Sequence, residues 1–294
     1  MSLLTPERVP VKVYRWDDAD APQLDRSAGC VATIFKACLV TGYGAKEGAG
    51  WTMPFEDASA GVKVLRPEVS PHTDFYLRLS ADTGTEMAAQ VYLNMSDANT
   101  GDLKLELNTV YKHSVSSRLS PTKWLLLATS RAVWFFIEHH WSTETDQPTS
   151  GTYFFCGDVE GKKSKAVYMQ HTAGTNTFGG YSSLLRSHEI SSEGSSSANY
   201  AQGKLLEGNT VKSVDAKSLS YWSGDRARMS HFTLAPIAIT DADDLYFLPG
   251  IYVNAQGVAS KNFDIVKAIT GDDFIVFGTT PVTSTNFYIN ADRW

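Results

Sequence analysis

Apolar residues are densest between Lys123 and Gly157, in three short runs, Trp124–Ala128, Ala132–Ile137 and Tyr153–Cys156, separated by turn-forming residues. Each run is too short for a typical helix, and the second and third are rich in aromatic and β-branched side chains, which suit a pleated surface. They predict strands. Within the second run every neighbour is apolar, with Val133, Phe135 and Ile137 on one face and Trp134 and Phe136 on the other. A strand that is apolar on both faces must be covered on both, which puts it at the centre of a packed sheet or at an interface. Thr129-Ser130-Arg131 turns the first run back onto the second, and residues 143–151 make a longer polar excursion before the third.

The rest of the chain repeats this style with one exception. Residues 11–16 alternate Val11, Val13 and Arg15 against Lys12, Tyr14 and Trp16, a strand pattern. From Ser27 to Val40 the period changes: Cys30, Val31, Ile34, Ala37 and Cys38 fall on one stripe at helical spacing, with Ser27 or Asp25 as N-cap and Gly42 as the stop. This predicts one main helix, about 27–40, packed on a sheet by its apolar stripe. A Gly-rich loop follows, with Trp51 and Phe55 anchoring it on the core. Strands are predicted at 62–66, 75–79, 87–93 and 103–111, the last with Leu103, Leu105 and Leu107 inward and Lys104, Glu106 and Asn108 outward. After Ala166–His171 comes a Ser-, Gly-, Thr- and Asn-dominated tract, 172–204, which reads as a loop or arm that orders on assembly. Shorter strand-like pieces at Thr210–Val214 and Ser218–Trp222 precede apolar runs such as TLAPIAIT, DDLYFLPGIYV, FDIVKAI, DDFIVFG and NFYINADRW.

The expected fold is therefore mainly β, a β-sandwich or barrel-like set of antiparallel sheets with one N-terminal helix. Residues 1–171 would hold the N-terminal arm, helix and main core, with 172–204 as the polar arm. Residues 205–294 form a C-terminal β region that either joins that core or stands apart.

Composition narrows the function classes. A chain of 294 residues with 43% hydrophobic content can bury a large core. A formal net charge of −6 with scattered Lys and Arg excludes a broad nucleic-acid footprint, and the one tight basic cluster, Lys162, Lys163 and Lys165, reads as a solvated turn. No apolar stretch is long enough to span a bilayer, and no signal peptide is visible at the N-terminus, so any export would take another route, such as host lysis. Cys30, Cys38 and Cys156 have no metal-ligand spacing. Cys30 and Cys38 stand about 12 Å apart along the predicted helix, too far for a bridge, so buried free thiols are expected.

No catalytic signature appears. His139 and His140 are adjacent, so on a strand they point to opposite faces and cannot share a metal. The glycines at 42, 44, 48 and 50 lack the strand-before, helix-after context of a phosphate loop. Asp82-Thr83-Gly84-Thr85-Glu86 lacks calcium-loop spacing and reads as a hairpin turn. Asp17-Asp18, Asp241, Asp243-Asp244 and Asp272-Asp273 sit at strand boundaries where Asp forms turns. No cofactor or metal is implied. The aromatic content is more telling: thirteen Tyr, fourteen Phe and seven Trp can fill cores, build subunit interfaces or stack on sugars. Trp141, Tyr181, Tyr200 and Trp222 lie in polar surroundings and are the candidate interface or ligand-stacking residues.

Several phrases are familiar. PVKVYRWDDADAPQL near the start, GWTMPFED after the helix, the Ser96-Asp97-Ala98-Asn99-Thr100-Gly101 turn, Leu248-Pro249-Gly250-Ile251-Tyr252 and the final Asn290-Ala291-Asp292-Arg293-Trp294 span nearly the whole chain. Together they resemble a family of tailed-bacteriophage virion structural proteins whose members open with PVKVYxxxDAGAPQL; here Asp20 stands in place of the usual Gly. The resemblance implies a virion component made in the bacterial host cytoplasm and brings no catalytic residues; the lack of the long helix expected of a major capsid subunit favours tail, neck or baseplate over the capsid lattice. Its partners would be other virion proteins and copies of itself in a symmetric assembly. The alternative is a virion module that recognises host carbohydrate or a host receptor. A depolymerase would require two facing carboxylates in a concave site.

Overall fold

The computed structural model describes residues 8–69, 74–84, 86–107, 122–139, 150–161, 166–171, 202–214, 216–218, 235–241, 244–254, 263–278 and 286–294. In chain order, strand β1 (Lys12–Arg15) and helix α1 (Cys30–Lys36) precede β2 (Thr52–Asp57), β3 (Val62–Arg66), β4 (Tyr76–Ser80), β5 (Ala88–Met95) and β6 (Gly101–Leu107). These last five strands form an antiparallel meander, the N-terminal sheet, with each strand beside the next. Then come β7 (Trp124–Ala128), β8 (Ala132–His139), β9 (Ser150–Asp158), β10 (Glu160–Gly161), β11 (Ala166–His171), β12 (Gln202–Glu207) and β13 (Thr210–Ser213). With β1 they make a central sheet ordered β1-β7-β8-β9-β11-β12-β13, from which only β10 departs. The C-terminal sheet, ordered β14-β15-β16-β19-β18-β17, contains β14 (Ala216–Ser218), β15 (Ala235–Asp241), β16 (Asp244–Asn254), β17 (Ile265–Lys267), β18 (Asp273–Gly278) and β19 (Asn286–Asn290).

The central sheet is buried from both sides, as the two-faced apolar pattern of β8 requires. Val133, Phe135 and Ile137 join one core with α1 and with Leu65, Leu77, Leu79 and Val91 of the N-terminal sheet. Trp134 and Phe136 join a second core with Ile237, Ile251, Ile275, Phe277, Phe287 and Ile289 of the C-terminal sheet. The result is three stacked layers of antiparallel sheet, sandwich-like and mainly β. Aromatic rings cement the second core: Trp134 lies 4.5 Å from Phe155 between ring centroids, and Phe136 lies 4.8 Å from Phe277. Edge-to-face and tilted pairs at such spacings add about 0.5–1.5 kcal/mol each beyond the area they bury. Thr129 makes the β7–β8 turn, its hydroxyl accepting the amides of Arg131 and Ala132 at 3.1 Å.

The chain crosses between layers at two corners. β10 leaves the central sheet to pair with Tyr246 and Phe247 of β16. At the other corner residues 9–11 run ahead of β1 and pair with 292–294, through Val9 N–H to Trp294 C=O at 2.6 Å, Trp294 N–H to Val9 C=O at 3.0 Å and Val11 N–H to Asp292 C=O at 3.0 Å. One N-terminal segment therefore hydrogen-bonds to both sheets. Its side chains also divide, with Tyr14 buried in the first core and Val11 and Val13 packed against the second.

The helix departs from expectation at its start and in its period. It begins at Cys30, not Ser27, because Gly29 adopts φ 82° and no helix residue precedes it. Ser27 and Asp25 satisfy one another, the carboxylate accepting the Ser27 amide and hydroxyl. Asp82 supplies the cap from 50 residues away: its Oδ2 accepts the Ala32 amide at 2.9 Å and its backbone carbonyl accepts Gly29 N–H at 3.1 Å. After Lys36 the helix widens into a π-helical turn, Ala37–Thr41, ended by Gly42 as predicted. Phe35 in the helix and Leu39 in the widened turn are fully buried, while Ala37 is only partly so. Carbonyls of Cys38 and Leu39 are then taken by the amides of Ala49 and Trp51 in the returning loop. Gly48 is required there, since a Cβ would overlap the Val40 carbonyl.

Two further corrections concern faces. Leu103 is not inward: the β5–β6 register shifts between Val91 and Tyr92, and the bulge turns Leu103 out to 42% exposure while Leu105 stays buried. Phe55 does not anchor the Gly-rich loop on the main core. It belongs to β2 and packs with Val62, Val64 and Tyr92 on the outer face of the N-terminal sheet, while Trp51 does enter the core.

Candidate interaction surface

Among the described residues, several polar groups that sequence alone leaves open as chemistry are consumed internally. Asp18 accepts Lys46 Nζ at 2.6 Å, Tyr43 O–H at 2.7 Å and the Arg15 amide at 2.7 Å. Burial pushes the Asp18 carboxyl up, but the hydrogen bonds from Lys46 and Tyr43 outweigh it and hold its pKa below the ordinary value. Burial, and then the hydrogen bond to Asp18, drives the Tyr43 phenol up. Lys46 also donates to the Val13 carbonyl, Lys12 to Gly48 and Tyr14 to Glu47. This cluster pins the Gly-rich loop to β1. It presents no unpaired acid or base.

On the outer face of the N-terminal sheet Arg78 donates to Gln90 at 2.7 Å, to Ala98 C=O at 2.9 Å and to Asn99 at 2.9 Å, and Gln90 donates on to Glu106 at 2.7 Å. The Ser96–Gly101 turn is thereby folded over the face it caps. Asp82 accepts the Ala32 amide at the start of α1 with one carboxylate oxygen and the Gly84 amide with the other. Asp272 pairs with Arg293 and Asp273 with Lys267, each at 3.0 Å. Among the described residues no group of three His, Cys, Asp or Glu could hold a metal. Cys30, Cys38 and Cys156 are buried and form no disulfide. Asp158 stands apart: burial pushes its carboxyl up to about 7, with the Arg131 guanidinium restraining the rise.

The familiar sequence phrases converge on the frame. Trp294, 6% exposed, donates its indole N–H to Asn290 C=O at 2.8 Å and lies against Gly250, where any Cβ would overlap its ring. Trp134 donates to Pro249 C=O at 3.1 Å, Trp124 to Pro22 C=O at 3.1 Å and Trp51 to Thr129 C=O at 2.9 Å. Asp20 takes φ 62°, a left-handed conformation that costs a glycine least.

The candidate interface or stacking residues Trp141, Tyr181, Tyr200 and Trp222 all lie outside the described residues, as do the Lys162–Lys165 cluster, His72, His113, His140, His188 and His231. His139 and His171 end strands β8 and β11. Residues 172–201 of the polar tract also lie outside; Gln202–Lys204 open β12. Of the piece expected at Ser218–Trp222, only Ser218 is described, at the end of β14.

What the described surface does offer is exposed apolar residues on terminal sheet strands. Leu103 on β6, Val211 on β13 and Ile265 on β17 are 42%, 42% and 63% exposed, and these three strands are the terminal strands of the three sheets. The β17–β18 hairpin is the most pronounced case. Its turn is built by Ala268 N–H to Asp272 C=O at 2.8 Å and Gly271 N–H to Ala268 C=O at 2.9 Å, and Lys267 reaches across to Asp273. Ile269 at the tip is 98% exposed. The run FDIVKAI hides this in sequence, because its apolar residues continue past the strand into the turn; the only local signal is the Thr270-Gly271-Asp272 that follows.

Neither a protein-family model nor a curated protein sequence matches the chain. Among the described residues no helix is long and apolar enough to cross a membrane.

Proposed function

We propose that this chain is a structural component of a tailed-phage virion, in the tail, neck or baseplate, and that it works through contacts with copies of itself and with other virion proteins instead of by catalysis. The observation that carries this reading is the β17–β18 hairpin, which presents Ile265 and Ile269 to solvent at the terminal strand of the described C-terminal sheet. Natural edges are usually shielded by charge, proline or a covering element, because unpaired backbone and apolar side chains invite strand addition. Here the strand is short and carries Lys267, but Ile265 and Ile269 still leave bare apolar surface beside it, which is suited to a partner. The resemblance of the N-terminal, turn and C-terminal phrases to virion structural proteins supports the same reading. Those phrases supply capping, closing and packing contacts, the duties of a scaffold. The protein accordingly resides in the particle.

Quantitative mass spectrometry of purified particles tests the proposal, with the chain expected at a fixed multiple matching a symmetric ring or knob. Its absence from particles, with the purified protein solitary in solution at high concentration, overturns it.

A further inference from the structure

Strand β1 is the terminal strand of the central sheet, so one side of its backbone faces away from β7. Trp16 N–H to Trp124 C=O at 3.2 Å sets the alternation. It turns the backbone groups of Lys12 and Tyr14 towards β7 and those of Val11, Val13 and Arg15 outwards. The outward groups are met by three other parts of the chain. Val11 N–H goes to Asp292 C=O, and Val13 C=O accepts Lys46 Nζ at 2.8 Å. Arg15 N–H goes to Asp18 Oδ2 at 2.7 Å, and Arg15 C=O accepts Asp18 N–H at 3.3 Å. Lys46 Nζ and Asp18 Oδ2 are themselves joined at 2.6 Å. A neighbouring strand would offer this edge the same kinds of donor and acceptor.

The cover is firmly built. Tyr43 and Lys46 exchange backbone hydrogen bonds at 2.9 and 2.8 Å, and Tyr43 O–H donates to Asp18. Gly44, at φ 53°, lets this turn press on the 17–20 turn, since a Cβ there would sit 2.7 Å from the Ala19 carbonyl oxygen. We infer that Asp18 and Lys46 form a latch that closes the β1 edge against strand addition by a second copy of the chain. An uncovered β1 is self-complementary: two copies can pair antiparallel about a two-fold axis at Tyr14, each Val13 opposite the other's Arg15. Extension of the central sheet is thereby stopped at this end. The inference holds whether or not the chain belongs to a virion.

The test compares the full-length parent, the double variant Asp18→Ala with Lys46→Ala, and a triple variant that adds Val13→Pro. Val13 N–H faces away from β7, so proline there removes no bond to that strand but blocks pairing at the outer edge. By sedimentation velocity the double variant should dimerise about tenfold more tightly than the parent, and the triple variant should return to the parent's behaviour. A folded double variant with the parent's association, or association that survives Val13→Pro, overturns the latch. Hydrogen exchange on the parent decides the matter even if the double variant fails to fold. The Arg15 amide should exchange as slowly as those of Tyr14 and Trp16, and exchange at the rate of an exposed turn overturns the inference.

Discussion

The Trp294 indole fills the space in which a side chain on Gly250 would lie. Gly250 adopts φ 69°, open to glycine at little cost. Gly250→Ala should destabilise the protein by about 2–4 kcal/mol through overlap and backbone strain together. Trp294→Ala should cost about 3–5 kcal/mol. Urea unfolding of both single variants and the double variant checks the coupling. The second change should cost markedly less than it does alone, whereas strict additivity would mean that the contact contributes nothing.

Asp20 occupies the left-handed region at φ 62°, which carries a steric cost for any residue with a Cβ. Asp20→Gly is expected to raise stability by up to about 1 kcal/mol, and Asp20→Ala to lower it by a similar amount because alanine lacks the local hydrogen bonding that lets Asp tolerate this conformation. Thermal unfolding should rank them Gly, Asp, Ala from most to least stable.

The helix start depends on a residue far away in sequence. Asp82→Ala removes the acceptor for the Ala32 amide and should cost about 1–2 kcal/mol, as losing an N-cap does. Ser27→Ala, at the position sequence alone favours for the cap, should cost less. Equal losses would contradict the assignment of Asp82.

Asp158 makes stability depend on pH in the direction opposite to a salt-bridged carboxylate. Its pKa is raised to about 7 by burial, while an unfolded Asp titrates at about 3.9. Between those values the folded state keeps a proton that the unfolded chain has released. Stability from this group is therefore greatest below the lower value, falls as pH rises through the window and levels off above about 7. Full linkage over three units would be about 4 kcal/mol, and the partial exposure of Asp158 reduces this to about 2 kcal/mol. Asp158→Asn should gain that amount relative to the parent between about pH 4 and about pH 8 in urea titrations. An unchanged difference across that range would mean that Asp158 titrates as an ordinary carboxyl.

Ile265 and Ile269 are exposed and leave the cores untouched. Replacing both with Asp should alter monomer stability by no more than about 0.5 kcal/mol. The same change should abolish self-association in mass photometry and incorporation into particles. Retention of both would remove the hairpin from the assembly surface.

Much of this molecule was legible before its structure. The three runs from Trp124 to Cys156 declare themselves as strands by length and residue type, and the absence of a polar face on Ala132–Ile137 already demands a layer on either side. Gly42 as the helix stop and the buried state of the three thiols follow from equally local chemistry. Periodicity and turn residues operate over a few neighbours, so a linear reading captures them.

What tertiary structure alone decided is what lies across from each residue. Asp82 caps a helix 50 positions earlier because the β4–β5 turn happens to arrive there. One bulge opposite Tyr92 turns Leu103 outward against a perfect alternation. Trp294 fits only because Gly250 is brought beneath it, and Ile269 is bare because its strand stops at Lys267 on the last row of a sheet. Sequence by itself determined most of the strands and that the central one needs two covers, but it read β2 and the start of β12 as loop because they lie in Gly-rich and polar stretches. Register, bulges and sheet order then selected the covers, because those are set by pairings between residues distant in the chain.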